Sequence, residues 1–215
     1  MIGLIKKDAI QLSRTWLPIY AILSIIFIVA SIFWLKATGV LVMIFLTVLL
    51  LTNIQTLFLG DYNSNWLVYL TAVGISKQKI VGARYLTELL LSLISGIVML
   101  VDGLLVTLNP SAHFTMASAL IVSTVTFVFT LIYMIYLTPF LYVSGQNGLV
   151  LAVVLIFALG FGFTKIPHMN SYISFFTSHQ LYLSGLAVLF LVLLFIISFI
   201  ISLTILPKTL GDLGS

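Results

Sequence analysis

Residues 60–84 read GDYNSNWLVYLTAVGISKQKIVGAR, and this stretch decides how the rest of the chain is arranged. It is polar and basic, and it separates two apolar stretches of about 20 residues, each long enough to cross a bilayer as a helix. A simple connection between two spans needs far fewer residues. The length and the aromatic side chains therefore predict a structured loop outside the membrane that contacts a partner.

The composition of the whole chain identifies a membrane protein. Hydrophobic residues make up 62% of the 215, charged residues make up 7%, and the mean hydropathy is +1.29. A soluble domain could not expose such a surface, so we predict a polytopic membrane protein. The absence of cysteine excludes disulfides, thiolate metal sites and cysteine nucleophiles. The net charge of +4 gives no support to nucleic-acid binding.

Six membrane spans are predicted, and all must be helical because open strands cannot satisfy their backbone in lipid. Pro139 is expected to kink the long fourth span or to mark where it unravels. The fifth span is short and contains two glycines, so a full crossing is left open. The predicted spans are Trp16–Leu35, Val40–Leu59, Tyr85–Leu108, Met116–Val143, Leu149–Thr164 and Leu183–Leu206.

The basic residues predict the orientation of these spans. Seven of the nine fall on one side of the membrane, and this side is expected to be the cytoplasm. Both termini are then cytoplasmic. The seven are Lys6, Lys7, Arg14, Lys77, Lys79, Arg84 and Lys208, whereas Lys36 and Lys165 lie opposite.

Residues 1–15 are predicted to form an amphipathic helix on the cytoplasmic lipid surface. Apolar residues recur at steps of three and four, and Lys7, Gln11 and Arg14 repeat on the opposite face. A simple positively charged flank would explain the charges but not the apolar period. The apolar positions are Ile2, Ile5, Ala9, Leu12 and Trp16.

The loop of residues 60–84 carries its own helical pattern. Trp66, Tyr69, Leu70 and Val73 share one face, Gly74 follows as a break, and the next helix begins near an N-capping serine. Lysines in the first turn oppose the helix dipole, so an acidic partner or anionic lipid is expected to offset them. The residues predicted to contact the partner are Asn65, Trp66, Tyr69, Leu70, Gly74, Ser76, Lys77 and Lys79.

Three features together resemble the permease subunits of ABC-2 type exporters. They are LIKKD at Leu4–Asp8, ISKQKIVGARYL at Ile75–Leu86, and Asp61 where an acidic residue closes the second span. The layout is most similar to the short Gram-positive permeases associated with peptide or toxin export and bacteriocin self-protection. The chain departs from the family pattern at Val73-Gly74, where Leu-Pro is usual.

The resemblance implies a function, partners and a location. Residues 60–84 would hold a coupling helix that docks on a separate ATPase, and residues 165–182 would form an extracellular, possibly re-entrant segment. A second permease subunit, identical or related, would complete a path for an amphipathic peptide or lipid-like cargo across a bacterial cell membrane. No GxxxxGK[ST] motif occurs, so ATP and magnesium are expected on the partner, with no cofactor and no catalysis in this chain.

Few polar groups lie inside the predicted spans. Asp102 is expected either to face a transport path or partner helix, or to reach the outer head groups. Asn53 and Gln55 are expected to hydrogen-bond between helices, and Gln55 could instead line a path. Glu88 lies four residues after Arg84, a spacing that predicts a local ion pair, and docking to a partner is the alternative.

Other function classes fit the sequence less well. His113, His168 and His179 share the predicted outer side but lack the spacing of a zinc site, so no metal is predicted. An intramembrane enzyme would need motifs such as HExxH or GxGD, which do not occur. A secondary transporter would predict broken helices with ion ligands at mid-depth, and no clear inverted repeat is present.

Overall fold

A computed structural model describes residues 1–14, 17–35, 47, 55–109, 114–144, 147, 148, 150–152, 154, 155 and 180–213. Every regular element among them is helical, which confirms the all-α prediction for this part of the chain. A π-helical segment, Ser31–Leu35, continues the second helix, and residues 55–63 are also helical. The six main helices are α1 (Ile2–Arg14), α2 (Leu17–Ala30), α3 (Trp66–Ala72), α4 (Lys77–Thr107), α5 (Met116–Ser144) and α6 (Gln180–Leu213).

Three of the described helices are long and apolar enough to cross a membrane. These stretches, Lys77–Thr107, Met116–Val143 and Val188–Leu206, correspond to the predicted third, fourth and sixth spans. The pair Ile2–Arg14 and Leu17–Phe33, bent by 59°, would make a fourth if it formed one span.

The rest of the predicted topology lies largely outside the described residues. This holds for the second span, Val40–Leu59, for most of the fifth, Leu149–Thr164, and for the segment 165–182. Six spans and cytoplasmic termini therefore stay predictions.

Helix α4 is the element around which the first part of the molecule is built. The chain divides into two compact units, Met1–Met134 and Ile135–Ser215, and α4 lies in the first. Its close contact with α5 depends on small residues, as is usual between helices in lipid. A Cβ atom at Gly103 would lie 2.8 Å from the Cβ of Ala119, so only glycine permits this approach.

Hydroxyl groups add hydrogen bonds to the contact between α4 and α5. The side chains of Ser95 and Thr130 are 3.2 Å apart, and Ser123 donates to the Gly96 carbonyl at 2.7 Å. Both residues of the first pair are fully buried. These bonds satisfy polar groups that would otherwise be costly to bury in hydrocarbon.

The second unit contains α6 and the end of α5. Pro139 lies inside α5, but the helix continues to Ser144, so the proline does not mark an unravelling point. The Ser198 hydroxyl donates to the Ile135 carbonyl and joins the two helices. Beside this bond lies an almost wholly apolar groove of about 290 Å³, bordered by residues of both helices that include Phe140, Leu194 and Ile201.

Candidate functional site

Four charged side chains from three helical segments meet in the first unit. Lys7 and Asp8 come from α1, Asp61 comes from the helical residues 55–63, and Arg84 comes from the second turn of α4. We refer to these four residues as the charge cluster. Its formal charges cancel, with two cations against two carboxylates.

Each carboxylate of the charge cluster contacts both cations. Arg84 Nη1 lies 3.2 Å from Asp8 Oδ2, and Lys7 Nζ lies 3.6 Å from Asp8 Oδ1. Asp61 accepts hydrogen bonds from Lys7 and Arg84 with its two oxygens. The Thr87 hydroxyl, one turn further along α4, lies 3.2 Å from Asp8 Oδ2 and 3.0 Å from the Ala83 carbonyl, and its one proton can serve either acceptor. The cluster is thus a bridged network and not two separate pairs.

Burial makes the balance of this network important. Asp8, Asp61 and Arg84 are each at most 5% exposed. Buried charges are tolerated when paired and hydrogen-bonded, whereas removing one partner leaves a charge whose desolvation costs about 3–5 kcal/mol. The cluster therefore holds α1, residues 55–63 and α4 in one arrangement.

Aromatic rings extend the cluster toward α3. The Arg84 guanidinium lies over the Phe58 ring, with 4.6 Å between its Cζ and the ring centroid. Lys7 Nζ lies 5.7 Å from the Trp66 centroid, and the Trp66 and Tyr69 rings stack at 5.3 Å. Such cation–π contacts stabilise by roughly 0.5–2 kcal/mol, depending on burial. The first residue of α3 is thereby connected to the charge cluster.

The Gln11 side chain of α1 rests against Gly60 at this junction. A Cβ atom at Gly60 would lie 2.5 Å from Gln11 Nε2, so a larger residue there would displace the end of the glutamine side chain. Gln11 also donates to the Thr56 carbonyl at 3.4 Å. Gln11 and Lys7 of the polar face of α1 therefore contact protein, and so does Leu12 of its apolar face, whereas Ile2 and Arg14 are exposed.

Two left-handed residues define the ends of α3. Asn65 precedes the helix with φ 51°, and Gly74 follows it with φ 79°. The Gly74 N–H donates to the Thr71 carbonyl and the Ile75 N–H to the Leu70 carbonyl, both at 3.0 Å, which is a Schellman ending. Ser76 is the N-cap residue of α4, although its hydroxyl makes no capping bond.

The two faces of α3 have different environments. Leu67 and Leu70 are buried, whereas Tyr69 and Val73 are each 55% exposed. The sequence grouped Leu70 with the partner-facing side chains, but in the structure it packs inward at 3% exposure. Beyond the helix, the exposed surface continues through Gly74, Ser76, Lys77 and Lys79.

Asp102 lies near the opposite end of α4 from the charge cluster. It is 18 residues beyond Arg84, or about 27 Å along the helix axis. Its side chain is fully buried, so in this structure it does not reach a head-group surface. Near the same end, Asn109 Nδ2 donates to the Ile32 carbonyl at 2.9 Å.

Of the other predicted polar residues, the structure describes Gln55 alone. Gln55 is half-buried and hydrogen-bonds to Tyr133 of α5, an inter-helix contact of the kind expected. Asn53 and the three histidines lie outside the described residues. Within the described part, no group of three or more His, Cys, Asp or Glu side chains could hold a metal ion.

The sequence did not identify the charge cluster as a site. In the sequence, the signals for Asp8, Asp61 and Arg84 are separate, and the spacing predicts Glu88 beside Arg84, whose partners here include Asp8 and Asp61. A usable signal did exist: the chain has only five acidic residues, and Asp8 and Asp61 are among those that border the predicted cytoplasmic surface near basic residues. Charges at that depth need partners.

Comparison with known proteins identifies the family of the chain. The family described as ABC-2 family transporter protein matches residues 3–206, which is nearly the whole chain. No curated protein and no solved structure matches it.

Proposed function

The chain belongs to the ABC-2 transporter family as a membrane permease component of an ABC exporter, and we propose that α3 with its flanking turns docks it on a separate ATPase. ATP and magnesium would be bound by that ATPase. Family membership favours this function over a secondary transporter or an intramembrane enzyme. The contrast between the two faces of α3 is the observation that supports the docking proposal.

The proposed docking face consists of Tyr69, Val73, Ser76, Lys77 and Lys79, all exposed. Tyr69 offers an aromatic contact and Val73 an apolar one. Lys77 and Lys79 follow four and six residues after Val73. The matching partner surface is an apolar pocket with an acidic rim. Aromatic side chains in such pockets usually dominate interface energetics, while rim charges mainly accelerate and orient association.

The charge cluster would transmit movement from this face to the membrane helices. Leu67 and Leu70 anchor the inward side of α3, and Trp66 connects its first turn to Lys7. Lys7 is paired with Asp61, which also pairs with Arg84 of α4. A force applied at Tyr69 would therefore reach α1 and α4 together and would not be lost in a flexible loop.

The cargo and assembly are proposed on weaker grounds. An amphipathic peptide or lipid-like cargo, as in peptide exporters or bacteriocin-immunity systems, would need apolar surface along its route. The apolar groove between α5 and α6 in the second unit offers such surface. We further propose that two permease subunits, identical or related, form the path in a bacterial cell membrane.

The docking proposal is tested by capture of the ATPase, the nucleotide-binding polypeptide that copurifies with the tagged chain. Tyr69→Ala should weaken association by about 2 kcal/mol, roughly thirtyfold, and reduce coupled ATP hydrolysis. Phe33→Ala is the matched control, because it removes an aromatic side chain that is also exposed but lies on the π-helical segment.

Membrane levels must be equal for all variants in this comparison. If Tyr69→Ala and Val73→Ala, alone and combined, capture the ATPase as well as the unmodified chain, the docking face is wrongly assigned. Leu70→Ala is expected to lower stability more than Tyr69→Ala, since it removes a buried side chain.

A further inference from the structure

Asp102 is a fully buried acidic residue with no conventional partner. Among the described residues, none donates a hydrogen bond to either carboxylate oxygen. No ion pair of Asp102 is found there either, although four connect the charge cluster. An isolated carboxylate in a span is costly to keep ionised, so its surroundings should indicate how the charge is compensated.

Ser31, the first residue of the π-helical segment, faces Asp102 and is also fully buried. Its hydroxyl donates its single proton to the Phe27 carbonyl at 2.8 Å. A hydroxyl whose proton is used in this way can only accept a further hydrogen bond. While it makes this bond, Ser31 offers Asp102 a lone pair and not a donor.

The other elements around Asp102 add no described charge. Ala119 of α5 and Phe114, which precedes α5, lie next to Gly103, and neither titrates. Just beyond the end of α4, Asn109 donates to the Ile32 carbonyl of the π-helical segment. The described groups that face the carboxylate from neighbouring elements are thus neutral.

We propose that Asp102 is a proton-binding site whose neutral acid donates a hydrogen bond to Ser31 and so holds the Ser31–Leu35 segment against α4. The proton enters and leaves by the reversible reaction of the carboxylic acid to carboxylate and hydrated proton, with no other reactant. Loss of the proton leaves a buried carboxylate whose one described polar neighbour is a hydroxyl already bonded to Phe27, and this disfavours the packed arrangement.

A proton suits this site better than a larger cation. The described residues offer two carboxylate oxygens and one hydroxyl oxygen, whereas hard metal cations usually take six or more oxygen ligands. A cationic group of a cargo would also need access, and the side chain is fully buried. The π-helical geometry beside it is a second indication of function, because π-helical turns occur frequently at functional sites.

The direct test is infrared spectroscopy of the full chain in phosphatidylcholine nanodiscs at mildly acidic pH, in a sodium-free buffer. The spectrum of the unmodified chain minus that of Asp102→Asn should contain the carbonyl band of a protonated carboxylic acid. Ser31→Ala should retain this band but shift it to the frequency of a less hydrogen-bonded acid. Adding sodium at fixed pH should leave it unchanged.

The absence of a protonated-acid band from the difference spectrum would overturn the proposal, as would its loss on addition of sodium. If Asp102→Asn does not fold, the proposal is tested by the shift of the carbonyl band in Ser31→Ala alone, since that variant leaves Asp102 in place. No shift in that variant would contradict the hydrogen bond to Ser31.

The structural consequence is tested by thiol labelling, since the chain has no native cysteine. Labelling of Ile32→Cys, relative to the exposed control Phe33→Cys, should rise severalfold from acidic to alkaline pH. With Asp102→Asn, whose amide can still donate to Ser31, labelling should stay low at every pH. An unchanged pH response in that double variant would refute the role of Asp102. Neither measurement involves an ATPase or a cargo, so failure here is distinct from failure of the docking proposal.

Discussion

The two ends of α4 bury acidic side chains in opposite ways. At one end, Asp8 and Asp61 share Arg84 and Lys7, and every carboxylate has two cationic neighbours. About 27 Å along the helix axis, Asp102 has a neutral hydroxyl beside it and no described cation. One helix thus combines a fully paired junction with an unpaired acid.

This difference indicates different roles for the two ends. A balanced network of charges is rigid, because each side chain is fixed by several neighbours and any displacement exposes a buried charge. An unpaired acid can instead change its charge by taking or losing a proton. We infer that the paired end transmits movement between helices, whereas the Asp102 end responds to its surroundings.

The largest effect is expected from Arg84→Met, which keeps much of the side-chain length but removes the more buried of the two cations that both carboxylates share. The free energy of unfolding in detergent should fall by about 3–5 kcal/mol, because Asp8 and Asp61 stay buried with only Lys7 to pair with. Lys79→Met is the control, since it removes an exposed cation from the same helix. Equal, small losses for both variants would show that the cluster is not a structural junction.

A second experiment asks whether the paired end behaves as one network. Asp8→Asn and Asp61→Asn should each destabilise the protein, and the double variant should differ from the sum by about 0.5–3 kcal/mol. The reason is that both carboxylates pair with Arg84, so removing one of them changes how strongly the other interacts with it. Strict additivity in thermal or denaturant unfolding would indicate two independent pairs instead.

The sequence predicts the described helices better than it predicts the junction. A long apolar segment in lipid must form a helix, because only a helix satisfies its backbone hydrogen bonds within the segment. The predicted fourth span, Met116–Val143, has the same bounds in the structure. The turn between α3 and α4 is also predictable, since Gly74 adopts the positive φ that glycine tolerates and Ser76 follows as N-cap. Both are local effects.

The sequence does not predict which distant charged residues form ion pairs. Lys7 and Asp61 are 54 residues apart, and Asp61 and Arg84 are 23 apart, so no helical period relates them. The same limit explains Leu70: periodicity places it beside Trp66 and Tyr69, but tertiary packing decides which part of that face turns inward. Leu67, which also packs inward, was not anticipated.

A smaller effect is expected at the turn that orients the docking face. Gly74→Ala should destabilise the loop by about 1–2 kcal/mol, because a Cβ atom is disfavoured at positive φ. Gly74→Asn should cost less, since asparagine tolerates this region. No atom within 4 Å would contact the new Cβ, so steric clash does not confound the comparison. Hydrogen exchange of residues 66–76 would report the loss, and identical exchange in the alanine and asparagine variants would contradict it.

The smallest effect on stability is expected at the unpaired end. Asp102→Asn should change the free energy of unfolding by less than about 1 kcal/mol or raise it, because it removes an ionisable group from a span without leaving a partner behind. Export at matched membrane levels should nevertheless fall. Normal export would end the functional interpretation of Asp102, and a loss of stability as large as that of Arg84→Met would erase the contrast between the two ends.

The most direct test of the proposed coupling is site-specific photo-crosslinking, which the cysteine-free chain permits without background. Single cysteines at Tyr69, Val73 and Ser76 carry a short photoreactive maleimide, and cysteines at Phe33 and Ile97, exposed on other helical segments, serve as controls. The account predicts crosslinks to the ATPase polypeptide from the first three positions and none from the controls. An ATPase that crosslinks equally from all five positions, or only from the controls, would contradict it.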